Sequence, residues 1–300
     1  MAFKNDRVRH LAGMVFGWAI LSCGSGELTS PPLPPGHPNE PPGFTSFYEN
    51  AYTALPPASG TGWSTVGPSK GCWSTEFGLV PVIRTDPTAP SGQGVVYGLK
   101  FHAGILTGQG PGLTAEWETC AASNTVEYRK LYTDMWIKLA GGPNGDLSDW
   151  EFNAGVTKVL GFWGVGRNFT GGNGGDMIGR VWGGPGQFES SREISWVNEA
   201  TNLRAFAPNA GSQNLVVGQW HRVEILMELG SSPGATDGVL RIWVDGTMVH
   251  DWTDVAYNSP SNPSGFYQKH NSPTWGGGSS PIKTRDDWIY YDHMYMSGVP

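Results

Sequence analysis

Gly218–Trp252, GQWHRVEILMELGSSPGATDGVLRIWVDGTMVHDW, leaves a chain of this kind few ways to fold. Two alternating runs, Trp220–Leu229 and Gly238–Asp245, flank a polar connection containing Gly and Pro, which predicts a long β-hairpin. In the first run His221, Val223, Ile225, Met227 and Leu229 fall on one face and Trp220, Arg222, Glu224 and Glu228 on the other, with Leu226 the exception. In the second, Leu240, Ile242 and Val244 oppose Arg241, Trp243 and Asp245. Side chains alternate across a strand, so one face enters a core and the other carries rings among charges. Asp245-Gly246 supplies a turn needing positive φ, and Thr247–His250 returns as a short strand. Flat apolar rings beside planar polar groups suit a sugar chain; a solvated outer sheet face is the plainer alternative.

Composition agrees with this hairpin. Forty-four Gly and 23 Pro in 300 residues leave little room for long helices, while 14 Trp, 10 Tyr and 12 Phe suit a turn-rich β protein. Only 15% of residues are charged and the net charge is −7, which disfavours nucleic acid and anionic membrane surfaces as partners.

Residues 1–23 read as an export signal. Lys4, Arg7, Arg9 and His10 precede an apolar run, Leu11–Leu21, too short to span a bilayer, and Ser22-Cys23 ends it. Ile20-Leu21-Ser22-Cys23 resembles the lipobox of bacterial lipoproteins, which implies a lipidated Cys23 and a cell-surface or outer-membrane location. An ordinary cleaved leader and a secreted product are the alternative. With Cys23 so used, Cys72 and Cys120 remain as a pair for a disulfide in an oxidising compartment, against two free buried thiols. Closing their loop of about 49 residues would constrain the unfolded chain by roughly 4 kcal/mol. Residues 24–43 form a linker, with seven prolines in the fourteen residues Ser30–Gly43, expected to act as a polyproline spacer.

Residues 44–300 read as one β domain. Strand candidates are Leu79–Arg84, Val95–His102, Leu113–Cys120, Lys130–Leu139, Lys158–Val165, Asp176–Trp182, Arg192–Glu199, Leu203–Ala207 and Asp287–Ser297, besides the hairpin. Lys130–Leu139 repeats the hairpin's division: Leu131, Thr133, Met135, Ile137 and Leu139 against Tyr132, Asp134, Trp136 and Lys138. Such a strand series without helices predicts an all-β, two-sheet antiparallel sandwich.

The order LYTDMWIKL, TKVLGFW, GQWHRVEILMELG, DGVLRIWVDG, PTWGG and DWIYYDHMYMSG, from Tyr132 to Ser297, resembles the concanavalin A-like lectin/glucanase superfamily. Within it the chain is most similar to secreted jelly rolls grouped with polysaccharide lyases and laminarin-type glycosidases. The resemblance implies a jelly roll; such folds host lectins, hydrolases, lyases and noncatalytic modules. The Glu-x-Asp-x-x-Glu motif of the superfamily's retaining glucanases is absent, Glu116-x-Glu118 being the nearest approach to a carboxylate pair.

A lyase removes the proton α to a uronate carboxylate, so it needs a base and cations that neutralise that carboxylate. Candidates are Arg222, Arg241, Lys158, His270 and Tyr267. Arg222 and Arg241, if adjacent in the hairpin, would clamp one carboxylate; pairing with Glu224 and Asp245 is the alternative. Tyr132, Trp136, Arg180, Trp182, Trp243 and Trp275 are expected to bind substrate. Asp292 resembles an Asp of the superfamily's last strand that sits beside a structural calcium, a buried hydrogen-bonded Asp being the alternative; no catalytic cofactor is indicated. Tyr132, Trp136, Arg222, Arg241 and Trp243 are expected on one groove face, so that Trp243→Ala and Arg222→Ala weaken glycan binding with little change in stability. The leading expectation is β-elimination on a uronate glycan, with a noncatalytic glycan-binding or surface structural module, or a glycoside hydrolase, as alternatives.

Overall fold

The computed structural model describes residues 36–50, 82–105, 126–152, 155–165, 175–183, 187–189, 191–198, 204–206, 214–270, 274–275 and 282–300. Among them every regular element is a strand: β1 (Thr45–Asn50), β2 (Val82–Thr85), β3 (Val95–Phe101), β4 (Lys130–Ala140), β5 (Trp150–Phe152), β6 (Gly155–Val165), β7 (Gly175–Gly183), β8 (Gln187–Glu189) and β9 (Ser191–Asn198). They continue with β10 (Arg204–Phe206), β11 (Asn214–Val216), β12 (His221–Glu228), β13 (Gly238–Val244), β14 (Thr247–Val255), β15 (Phe266–His270), β16 (Thr274–Trp275) and β17 (Asp287–Val299).

The first sheet runs β14-β13-β12-β4-β17-β3-β2, with β1 also on β17; the second runs β10-β9-β7-β6-β15, with β11 on β9 and β16 on β6. All pairings are antiparallel. The chain is therefore the all-β two-sheet sandwich of jelly-roll type that its alternation predicts.

The predicted inner set is the observed core. Leu131, Met135, Ile137, Leu139, Val223, Ile225, Met227, Leu240, Ile242 and Val244 pack in one cluster with Val159, Leu160, Trp163, Val165 and Trp275 of the second sheet. Among the described residues, bonds cross between the sheets: Trp163 Nε1 donates to Thr133 Oγ1 at 3.2 Å, and the Tyr291 hydroxyl donates to the Val159 carbonyl. Burying these polar atoms is tolerable only because each finds a partner. The Asp245-Gly246 turn has φ of 50 and 77, as its residues require.

Residues 36–43 depart from the expected spacer. They lie against the outer face of the first sheet and lead into β1. Cys23, Cys72, Cys120, Glu116 and Glu118 lie outside the described residues.

Candidate functional site

Pairing register arranges the outer face of the first sheet in rows, because residues directly opposite share a face. Asp292, Trp136 and Arg222 form one row across β17, β4 and β12; Tyr295, Asp134, Glu224 and Trp243 form the next, continuing into β13. Leu226, the break in the hairpin's alternation, packs on this face with Tyr132, Trp243 and Tyr295, joined by Phe44.

The face is covered. Arg222 is 4% exposed and Tyr132 fully buried. Arg222 Nε donates to Asp134 Oδ1 at 3.0 Å, its Nη2 donates to Asp134 Oδ2, and that same nitrogen donates to the Gly36 carbonyl at 2.8 Å. His37 Nδ1 is 2.7 Å from Asp134 Oδ2, and the imidazole stacks on Tyr295 with 3.5 Å between centroids. Asn39 donates to Glu224 from Nδ2 (2.9 Å) and from its backbone N–H (3.3 Å), while Tyr295 donates to Glu40 at 2.9 Å. Polar residues inside the proline-rich run, His37, Asn39 and Glu40, were the sequence signal for this strap.

The electrostatics follow from these contacts. Burial, then Asp134 and Glu224, push the Tyr132 phenol far above its ordinary range, so it stays protonated and donates to Glu224 at 2.5 Å. Burial alone would lower the Arg222 pKa, but the bond to Asp134 and the two carboxylate charges overcome it and raise it. Arg222 is thus a fixed cation held by acids.

Several sequence expectations are relocated. Arg241 stands opposite Leu226, not beside Arg222, and its Nε donates to Asp251 at 2.8 Å, so the two arginines do not form one clamp. Trp275, expected as a stacking platform, is fully buried between the sheets and donates to the Glu151 carbonyl. Trp136 and Trp243 lie on the outer face, as expected of them, but are 3% and 7% exposed. Trp136 belongs to a cluster with Ala89, Val96, Trp220, Trp288 and Tyr290. Asp292 is buried; its Oδ2 accepts the Ser91 N–H at 2.6 Å, and burial raises its pKa. Among the described residues no group of three or more His, Cys, Asp or Glu assembles to hold a metal.

The second sheet gathers the other candidates. Lys158 of β6 stands opposite Arg180 of β7 on one side and Thr274 of β16 on the other, and Arg180 stands opposite Ser195 of β9. Trp182 is two residues along β7, opposite Val156, and His270 of β15 stands opposite Phe162. The neighbours Thr157 and Val159 enter the core, which turns Lys158 to the outer face of the sheet. Lys158 itself is half-buried. Tyr267 falls where the β15 register shifts and is buried.

A further cluster was not singled out from the sequence. Lys283, fully buried, places Nζ 2.6 Å from Asp287 Oδ2 and 3.5 Å from Glu151 Oε2, over the Trp150 ring at 4.4 Å. Asp287 also accepts from Gly142 N–H (2.6 Å), Glu151 N–H (3.1 Å) and Arg285 Nε (3.0 Å). Burial lowers the Lys283 pKa, partly offset by Asp287 and Glu151. Four donors on one carboxylate mark a structural ion cluster at the end of the sandwich.

No family model and no curated protein matches this sequence. Among solved structures the chain is similar to alginate lyase Aly36B, with 16% identity over 68% of this chain and 80% of that one and a TM-score of 0.47. It is similar also to the endo-β-1,4-glucuronan lyase of the fungus Trichoderma reesei, at 16% identity over 73% and 87% with TM-score 0.45. A LamA variant from Z. galactanivorans, in complex with laminaritriose and laminaritetraose, gives 13% identity over 84% and 98% with TM-score 0.41.

Proposed function

We propose that this chain is an extracellular polysaccharide-active jelly roll that cleaves a uronate-containing glycan by β-elimination, with its working face on the outside of the second sheet. One observation carries the reading: the β6–β7 register sets Lys158 directly opposite Arg180, with Trp182 and His270 in the rows beside them. Two cations at one register position suit a uronate carboxylate and the enolate charge that develops on it. In this scheme His270 takes the α proton, the carbon–carbon double bond forms as the glycosidic C–O bond breaks, and the leaving oxygen takes its proton from a water molecule. Trp182 is the stacking platform. Export, with Cys23 lipidated or removed with the leader, would place the domain where such polymers occur.

The test is a screen of uronate polysaccharides for new absorbance at about 235 nm, where unsaturated products absorb. Turnover should fall by about 10²–10³-fold in Lys158→Ala and Arg180→Ala. Binding without new absorbance, unchanged by either substitution, would overturn the lyase reading and support a noncatalytic module.

A further inference from the structure

The floor beneath Gly36–Phe44 is built of Tyr132, Asp134, Arg222, Glu224 and Tyr295, all buried. The strap meets it with generic chemistry: a flat ring on Tyr295, two N–H donors on Glu224 and a carbonyl on Arg222. A pyranose offers the same three things, as a C–H face, neighbouring hydroxyl donors and hydroxyl oxygens. One floor donor is left over. Arg222 Nη1 is buried without a partner, although Nε and Nη2 of the same guanidinium are engaged. Buried donors are rarely left so.

We propose that this floor is a second glycan site, for an uncharged oligosaccharide, and that Gly36–Phe44 is its built-in competitor. Two carboxylates against one guanidinium repel a uronate, so the ligand class differs from that of the second sheet. The two faces lie on opposite outsides of the sandwich. Phe44 packs into the Tyr132, Leu226, Trp243 and Tyr295 cluster and leads into the β1–β17 ladder, so the strap opens from its Gly36 end. A strap that is mostly closed lowers the apparent affinity by the fraction that is open.

The test compares the full-length protein with full-length His37→Ala/Asn39→Ala, substitutions confined to the strap. Hydrogen exchange is read at 36–44, and calorimetric titration uses neutral hexasaccharides of β-1,3- and β-1,4-linked glucose. Exchange at the strap should accelerate and affinity should rise by about tenfold or more, with Tyr132→Phe in that background removing the gain. Faster exchange without the gain overturns the site, and unchanged exchange overturns the strap as its latch. An equal gain for an oligouronate overturns the charge assignment. Uronate cleavage should be the same in both proteins, so this inference and the lyase reading fail separately.

Discussion

Asp134 and Glu224 stand directly opposite each other on β4 and β12, two buried carboxylates on one face of a sheet. Like charges so placed destabilise a ladder unless a cation intervenes. Arg222 does so, with Nε 3.0 Å from Asp134 Oδ1 and 4.0 Å from Glu224 Oε2. Tyr132 and Asn39 supply further donors to Glu224, so each member of the group is held by others.

Arg222→Ala should therefore cost about 3–5 kcal/mol of stability, because it leaves opposed carboxylates buried without their cation. The measurement is a urea midpoint with unchanged slope. Arg222→Lys should recover only part, since an ammonium cannot reproduce the fork on Asp134. A loss under about 1 kcal/mol would show that the carboxylates do not depend on Arg222. The expectation from sequence, that Arg222→Ala spares stability, is reversed by the burial of the residue.

The Lys283 cluster predicts an order. Asp287→Ala removes the carboxylate shared by Lys283, Arg285 and the Gly142 and Glu151 N–H groups, leaving Lys283 with Glu151 and Arg285 with Asp149. Lys283→Met removes one cation and leaves Asp287 three of its donors. Asp287→Ala should thus cost about 3–5 kcal/mol and exceed Lys283→Met. Equal losses in thermal unfolding would contradict the assignment of Asp287 as the hub.

Gly141 should tolerate no side chain. A Cβ there would stand 1.7 Å from the Asp149 carbonyl oxygen and 2.9 Å from that of Leu147, both backbone. Gly141→Ala must push away the segment that carries Asp149 and Trp150, at a cost of about 1–3 kcal/mol or more. Gly246→Ala meets open space and only the strain of φ +77, so it should cost less, about 1–2 kcal/mol. Comparison of the two melting temperatures checks the order.

The sandwich was legible because alternation is local: the same residues that read as an inner set, Met135, Ile137, Val223, Ile225, Ile242 and Val244, form the core. The outer face was legible as a set and not as an environment. Nothing in the period-two pattern of β12 says that residues 36–44, more than 170 positions away in the chain, will cover Arg222. Arg222 and Arg241 also show the limit of reasoning without register, since an offset along the hairpin gives them separate acids. Lys283 was hidden for a different reason. Its partners Glu151 and Asp287 lie 136 positions apart in the chain, and a lysine in a loop carries no periodicity.

Two buried aspartates should drive stability in opposite directions with pH. For Asp86, burial would raise the pKa, but the bonds from Lys138 at 2.8 Å and from Thr88 at 2.6 Å prevail and lower it. A depressed carboxylate contributes stability that is present above its unfolded pKa of about 3.9 and is lost as pH falls through the folded value. Asp292 is the reverse, since burial raises its pKa and Ser91 offsets only part, with Oδ1 left unpartnered. Its favourable contribution is present below about pH 3.9 and is lost as pH rises through the raised folded value. The stability of Asp292→Asn relative to the unsubstituted protein should therefore climb as pH increases from about 4 towards 7. Asp86→Asn should show its full deficit at pH 7 and close the gap only on acidification below about pH 4. Urea midpoints of the three proteins across pH 3–8 give both slopes, and a pH-independent difference for either variant would contradict the assigned protonation.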